Sequence, residues 1–243
     1  MMTGMHRVKR AIIMAAGQGK RMYPLTRKIP KPLIKVNGTR MIDSVIDGLH
    51  KNGIFEIYVV VGYLKEQFYE WANEYKGVTI VENPYYDTCN NISSLYIARE
   101  YIGDSMILDG DQIIFNAEIL CPYFERSGYN AVWCENETKE WLMNVENGVV
   151  KSCSRTGGSH GWQLFSISRW TAADGKKLKQ HLETEFENGN RQIYWDVVAM
   201  FCYFSEYSLG IRKMDRSDII EIDNIEELAA IDHSYAEYLQ SNI

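Results

Sequence analysis

The loop Ala15-Ala16-Gly17-Gln18-Gly19-Lys20-Arg21, running on to Pro30-Lys31-Pro32, carries the densest chemistry in this chain. A Gly-x-Gly turn lets backbone N–H groups approach an anion with no Cβ in the way. Arg21 can fork two phosphate oxygens, and Lys31 offers a compact point charge. Pro30 and Pro32 fix φ and bias Ile29 and Lys31 towards extended backbone, which holds Lys31 on a stiff arm. Two familiar glycine loops fail on detail. The dinucleotide fingerprint needs a third glycine where Met22 stands. The ATPase-type phosphate loop needs glycine at Met14 and a hydroxyl residue at Arg21.

A second group of residues could hold a cation. Ser105-Met106-Ile107-Leu108-Asp109-Gly110-Asp111 is an apolar run ending in two carboxylates separated by glycine. Such a strand end suits a hard divalent cation meeting a triphosphate. Magnesium needs few protein ligands when phosphate oxygens and water supply the rest. Asp218-Ile219-Ile220-Glu221-Ile222-Asp223 provides another strand ending in a carboxylate, with Asn224 and Glu227 placed as a capping box for a following helix.

These residues need a scaffold, and the sequence supplies one. Arg10-Ala11-Ile12-Ile13-Met14 reads as a buried strand leading into the anion loop. Leu33–Val36 reads as a short strand ending at the Asn37-Gly38 turn. Met41, Ile42, Val45, Ile46 and Leu49 recur at helical spacing, with Gly53 as a stop. Glu56–Gly62 and Val78–Val81 are further strands, separated by a helix from about Lys65 to Tyr75. This alternation predicts a parallel sheet covered by helices on both faces, with ligands beyond the carboxyl ends of its strands. The polar cluster Asn83–Asn91 then opens a helix reaching about Tyr101, for which Asn90 or Asn91 is a natural N-cap.

Composition narrows the class. Hydrophobic residues make up 46% and charged residues 24%, ordinary for a globular protein. The net charge of −6 argues against a general nucleic-acid or membrane surface, so an anion must meet a local basic site. The five cysteines are scattered, with no Cys-x-x-Cys, which fits reduced thiols and neither a disulfide framework nor a zinc site. No apolar run is long enough for a membrane span, and the N-terminus shows no signal-peptide core. A cytoplasmic protein built as one domain over residues 1–243 is the expectation.

The stretch Gly17-Gln18-Gly19-Lys20-Arg21 with Pro30-Lys31 resembles the signature of the sugar-phosphate and choline-phosphate nucleotidyltransferases, Gly-x-Gly-(Thr/Ser)-Arg followed by Pro-Lys. It departs at Lys20, where that family usually has a small hydroxyl residue. Asn90-Asn91-Ile92-Ser93-Ser94-Leu95 is similar to the segment that bacterial choline-phosphate cytidylyltransferases place beside the nucleotide. Glu140-Trp141, Tyr194-Trp195-Asp196, Gly62–Gln67 and the late Glu221-Ile222-Asp223 extend the likeness over nearly the whole chain. The resemblance implies a Rossmann-like three-layer α/β/α fold with a mostly parallel mixed central sheet. It further implies magnesium-dependent transfer of CMP from CTP to choline phosphate, by a monomer or homodimer.

On that resemblance Lys31 and Arg21 are the catalytic cations, and Asp111 and Asp223 the metal pair, with Asp109 and Glu221 close behind. Ala15, Ala16, Gly17, Gln18, Gly19, Lys20, Asn91, Ser94 and Asp111 are expected at the nucleotide. Glu135, Trp141, Tyr194, Trp195, Asp196 and Glu221 are expected around the acceptor's ammonium group, because a quaternary ammonium cannot donate an ordinary hydrogen bond and is held by aromatic faces and charge. Trp133, Trp162 and Trp170 are expected in the core. Rival acceptors are 2-aminoethylphosphonate, which needs less of an aromatic cage, and a sugar 1-phosphate. More remote alternatives are a glycosyltransferase using Asp109-Gly110-Asp111 as its metal motif, and an inactive nucleotide sensor.

Overall fold

A computed structural model describes residues 4–242. In chain order it contains β1 (His6–Arg7), β2 (Arg10–Ala15), β3 (Lys35–Val36), β4 (Thr39–Arg40), α1 (Met41–Lys51), β5 (Glu56–Val61), α2 (Glu66–Ala72), β6 (Val78–Glu82) and α3 (Ile92–Ile97). Next come β7 (Ser105–Asp109), β8 (Gln112–Ile114), β9 (Tyr123–Phe124), β10 (Gly128–Cys134), β11 (Leu142–Glu146), β12 (Val149–Ser154) and β13 (Gly161–Trp170). They are followed by α4 (Ala172–Glu187), the helical turn α5 (Trp195–Val197), β14 (Gly210–Lys213), β15 (Ile219–Glu221) and α6 (Ile225–Ile231).

Nine strands form one mixed sheet in the order β10-β14-β12-β11-β13-β7-β2-β5-β6. The half built from β7, β2, β5 and β6 is parallel. Beyond β7 the pairing turns antiparallel at β13 and is mixed thereafter. Because β10 also pairs with β13, the five outer strands close on themselves.

Side-chain alternation along β2 explains the three layers. Ala11, Ile13 and Ala15 face one side, where Ile42, Val45, Ile46 and Leu49 of α1 and Phe68 and Trp71 of α2 cover them. Ile12 and Met14 face the other, against Leu95 of α3 and Leu178, Leu182 and Phe186 of α4. Buried on both faces, these strands read as the continuous apolar runs seen in the sequence.

Several expected boundaries shift. The second helix stops at Ala72 rather than Tyr75, and the segment opening at Asn91 breaks after Ile97 into a 3-10 turn over Arg99–Tyr101. The stretch read as a strand from Leu33 begins with a 3-10 turn over Lys31–Leu33 and is extended only at Lys35–Val36. Trp170 is in the core, but Trp133 is 45% exposed and meets Trp162 edge-to-face at 5.3 Å.

Candidate active site

The anion loop leaves the sheet where β2 ends, at the carboxyl edge of the parallel strands. Met22 anchors it. Fully buried, that residue packs with Leu25, Ile34 and Met41 and with Ile225 and Leu228 of α6, while its neighbours Lys20 and Arg21 stay exposed. The position that breaks the dinucleotide fingerprint is thus a hydrophobic clamp holding the basic turn against the C-terminal helix. Gly19 adopts φ 60, and a Cβ there would come within 3.0 Å of Thr26 Cγ2 and 3.2 Å of Lys31 Cβ. At Gly17 a Cβ would meet nothing within 4 Å, so that position is open to the cleft.

Lys31 projects from the turn between its two prolines. Its side chain is buried, and Nζ donates to Asp111 Oδ2 at 2.6 Å and to Asp223 Oδ1 at 3.0 Å. Burial alone would lower its pKa, but the two carboxylates override this and hold it above the ordinary lysine value. Arg21 Nη2 donates to Asp223 Oδ1 at 2.7 Å, and Nη1 to Oδ2 at 3.1 Å. Burial pulls Asp223 upward, and Lys31 and Arg21 outweigh it, leaving this carboxyl below its usual value.

Asp109 ends β7 opposite Met14 of β2, and Glu221 ends β15 opposite Gln112 of β8. One carboxylate oxygen from each of Asp109, Asp111 and Glu221 lies within 4.8 Å of the others. Burial, then the neighbouring Asp111, pushes both Asp109 and Glu221 well above the usual carboxylate range. Asp111 Oδ1 is buried without a hydrogen-bond partner. A hard cation would satisfy all of these observations: it would neutralise the crowded charge and complete the orphaned oxygen. The residues therefore fit a magnesium ion. Asp111 belongs to both the expected pair and this cluster, whereas Asp223 is turned towards Lys31 and Arg21.

Two connected cavities flank this centre. A cleft of about 560 Å³ is lined by Ala15, Gly17, Gln18, Gly19, Lys20, Arg21, Lys31 and Asp111 on one wall. Tyr86, Asp87, Cys89, Asn90 and Gln192 make the other. A second cavity of about 270 Å³ shares Arg21, Tyr194 and Asp223 with the first, and adds Asp109, Glu140, Trp141, Ser166, Asp196 and Glu221. The first is open and mixed in charge, with Lys20, Arg21 and Lys31 facing Asp87, Asp111 and Asp223; the second is acidic. Asp196 is buried, and that burial raises its carboxyl to about 7. Tyr129 is buried beside it, and burial together with the nearby Asp196 pushes the Tyr129 hydroxyl well above its ordinary value.

Some expected residues lie elsewhere. Ala16 is buried, with its carbonyl accepting from Tyr63 N at 3.2 Å. Ser94 is buried behind the cleft, accepting from Asn83 Nδ2 at 3.0 Å, and lines neither cavity. Asn91 caps nothing with its side chain; its Oδ1 accepts from Trp195 N at 2.9 Å and so ties the two cavity walls together. Asn90 holds Asn91 N instead, at 2.7 Å. Trp195 is 1% exposed, packed between Tyr129 and Trp170 with ring centroids 6.1 Å from each. Tyr194 is extended and Trp195 begins a helical turn, so adjacent aromatics point in different directions. Glu135 is exposed on the turn after β10 and lines neither cavity, while Glu140 takes the acidic position beside Trp141.

Sequence reasoning missed Tyr86, Asp87, Cys89 and Gln192, which carry no motif; their segments are joined by Gln192 Nε2 donating to Thr88 O at 2.8 Å and Asn90 N donating to Arg191 O at 2.8 Å. Ser166 was detectable in principle, since it alternates with core positions along β13.

Residues 10–131 match the family described as Nucleotidyl transferase. A 2-aminoethylphosphonate cytidylyltransferase of Lancefieldella rimae is 39% identical over 95% of each chain. A choline-phosphate cytidylyltransferase of Streptococcus pneumoniae is 32% identical over 90% of this chain and 94% of its own. A solved CTP:phosphocholine cytidylyltransferase structure from Streptococcus pneumoniae superposes with a TM-score of 0.84 at 31% identity, covering 94% of this chain and 99% of the other.

Proposed function

The chain belongs to the nucleotidyltransferase family, and from that premise we propose that it is a cytidylyltransferase moving CMP from CTP onto a small ammonium-bearing phosphonate, 2-aminoethylphosphonate. An acceptor oxygen attacks the α-phosphorus, the bond to the β-phosphate oxygen breaks, and pyrophosphate leaves. Phosphomonoesters have a second pKa near 6. A phosphoryl-type nucleophile thus arrives already ionised, and no general base is needed.

The chain's own groups answer the remaining difficulty, the meeting of two anions. Lys31 stabilises charge building on the α-phosphate, and Arg21 with the Gly17–Gly19 amides holds the leaving pyrophosphate. Asp111, with Asp109 and Glu221 around it, would hold magnesium. That ion would screen the triphosphate and polarise its oxygens.

One observation favours a primary ammonium. The acidic cavity offers Asp196, Glu140 and Glu221, whereas Trp195 is withdrawn into the core. Trp141 already has the Arg155 guanidinium over its ring at 5.4 Å. A primary ammonium needs hydrogen-bond acceptors; a quaternary one needs free aromatic faces. The second reading, choline phosphate, is favoured by the edge-to-face pair of Trp141 and Tyr194 at 6.4 Å, which leaves some aromatic surface in the cavity.

Pyrophosphate release from CTP, with 2-aminoethylphosphonate, choline phosphate and glucose 1-phosphate in parallel, tests the assignment. The aminophosphonate is expected to give the highest kcat/KM, by tenfold or more. Preference for choline phosphate would install the second reading, and turnover of glucose 1-phosphate alone would reject both.

A further inference from the structure

At the other end of the strands from the cleft lies a cavity of about 340 Å³ whose lining is distinct from that of both active-site cavities, although Tyr129, the neighbour of Asp196, forms part of its wall. Three arginines, Arg126, Arg169 and Arg212, line it against a single carboxylate, that of the exposed Glu125. Strand register brings the last two together. On β13 Arg169 is paired with Gly128, and Asn130, two residues along β10, is paired with Arg212 on β14. Successive carbonyls then fix the two guanidinium groups. Arg212 Nη2 donates to Glu118 O at 3.1 Å, and Arg169 Nη2 to Ile119 O at 2.6 Å. Arg169 Nη1 also donates to Asn130 Oδ1 at 2.7 Å and Nε to Cys121 O at 3.0 Å.

These partners are all neutral. Arg169 is 3% exposed, yet among the described residues none of the three arginines is in a salt bridge. Carbonyl dipoles satisfy its N–H groups but leave its charge uncompensated, and a buried charge is costly without a counter-ion. Burial and the neighbouring Arg212 accordingly pull Arg169 down to about 9. Both guanidinium groups line the cavity, and their positive charge, unmatched by any carboxylate in a salt bridge among the described residues, favours an oxyanion there, with Arg212 the more accessible donor. Arg126, lying over Gly210 and exposed, supplies a third cation at the rim.

We propose that this cavity is a second binding site, in which Arg169, Arg212 and Arg126 receive a phosphate-type dianion, free or borne on a small molecule. Along β13 Arg169 pairs with Met106, three residues before Asp109, so the site lies roughly 10 Å along the strands from the catalytic carboxylates. An occupant there would touch none of the reacting groups.

Equilibrium dialysis of the full chain against labelled inorganic phosphate, pyrophosphate and CMP tests this. The double variant Arg126→Gln/Arg212→Gln leaves the buried Arg169 in place, and Lys31→Ala marks binding in the cleft. The expected result is a class of sites whose affinity falls at least tenfold in the double variant and is unchanged by Lys31→Ala. CTP turnover in phosphate-free buffer should be unaltered in the double variant. Binding by phosphate or pyrophosphate would identify a bare anion as the ligand, and binding by CMP alone a nucleotide. A single class, weakened by Lys31→Ala and indifferent to the double variant, would overturn the proposal.

Discussion

Arg21 and Asp223 meet side by side across 202 positions of sequence, with Nη2–Oδ1 at 2.7 Å and Nη1–Oδ2 at 3.1 Å. The same Oδ1 accepts from Lys31 at 3.0 Å. The two cations that would grip a triphosphate are therefore held on a carboxylate from the far end of the chain. Phosphate oxygens can replace that carboxylate as acceptors, with the same fork geometry for Arg21.

Removing Lys31 should separate chemistry from folding. Lys31→Ala is expected to lower kcat by on the order of 10²–10³, the usual cost of losing one electrostatic group at a reacting centre. CTP binding, followed by calorimetry, should persist in part. Full turnover in this variant would contradict the role given to Lys31.

The loop glycines should fail differently. Gly17→Ala adds a Cβ facing open cleft, so the melting temperature should hold while KM for CTP rises. Gly19→Ala places a side chain at φ 60 against Thr26 and Lys31, and should lower both thermal stability and kcat. Differential scanning fluorimetry beside initial rates distinguishes the two; equal behaviour would mean the loop is not ordered as described.

Asp196 should set a pH dependence. With its carboxyl near 7 it is largely neutral under mildly acidic conditions, so KM for an ammonium-bearing acceptor should rise as pH falls below about 7. Stability runs the other way. A folded-state pKa raised above the ordinary 3.8 means that the folded chain holds the proton more tightly than the unfolded one. The ligand-free protein should therefore be most stable below about 4 as far as this group is concerned, losing that contribution as pH rises through about 7. Asp109 and Glu221 are shifted in the same direction and reinforce the trend. Asp196→Asn should leave KM high and flat in pH and reduce the slope of melting temperature. An unchanged KM profile would remove Asp196 from acceptor binding.

Divalent cation should be required through Asp111. Chelation with EDTA is expected to stop turnover and excess magnesium to restore it. Asp111→Asn should need at least tenfold more magnesium for half-maximal rate, measured against free magnesium. Turnover untouched by chelation would exclude the metal role of these carboxylates.

The parallel half of the fold and its loop were legible because both are local. Ile12, Ile13 and Met14 form a run that only a doubly covered strand explains, and the glycines and prolines act on their own backbone. Helix–strand alternation then placed the loop at the carboxyl edge without further information. What the sequence hid depends on packing. Trp195 beside Tyr194 and Asp196 reads as a cage residue, and only a helical turn starting between the two aromatics sends it inward. Trp133 reads as core because it sits in an apolar run, yet it is 45% exposed near the end of β10. Asn91 offers a cap in one dimension; in three it accepts from Trp195 N, a partner 104 positions away. The acidic cavity joins residues from β7, β13, α5 and β15, a convergence that spacing alone does not encode.

The proposed reaction is attack of an acceptor oxygen on the α-phosphorus of CTP. The most direct test is 31P NMR of a reaction containing CTP, magnesium and 2-aminoethylphosphonate labelled with 18O in its phosphonyl group. The expected result is a new phosphonate–phosphate anhydride with 18O in the bridge, and unlabelled pyrophosphate formed in equal amount. CTP that binds but stays intact, or 18O appearing in pyrophosphate, would contradict it.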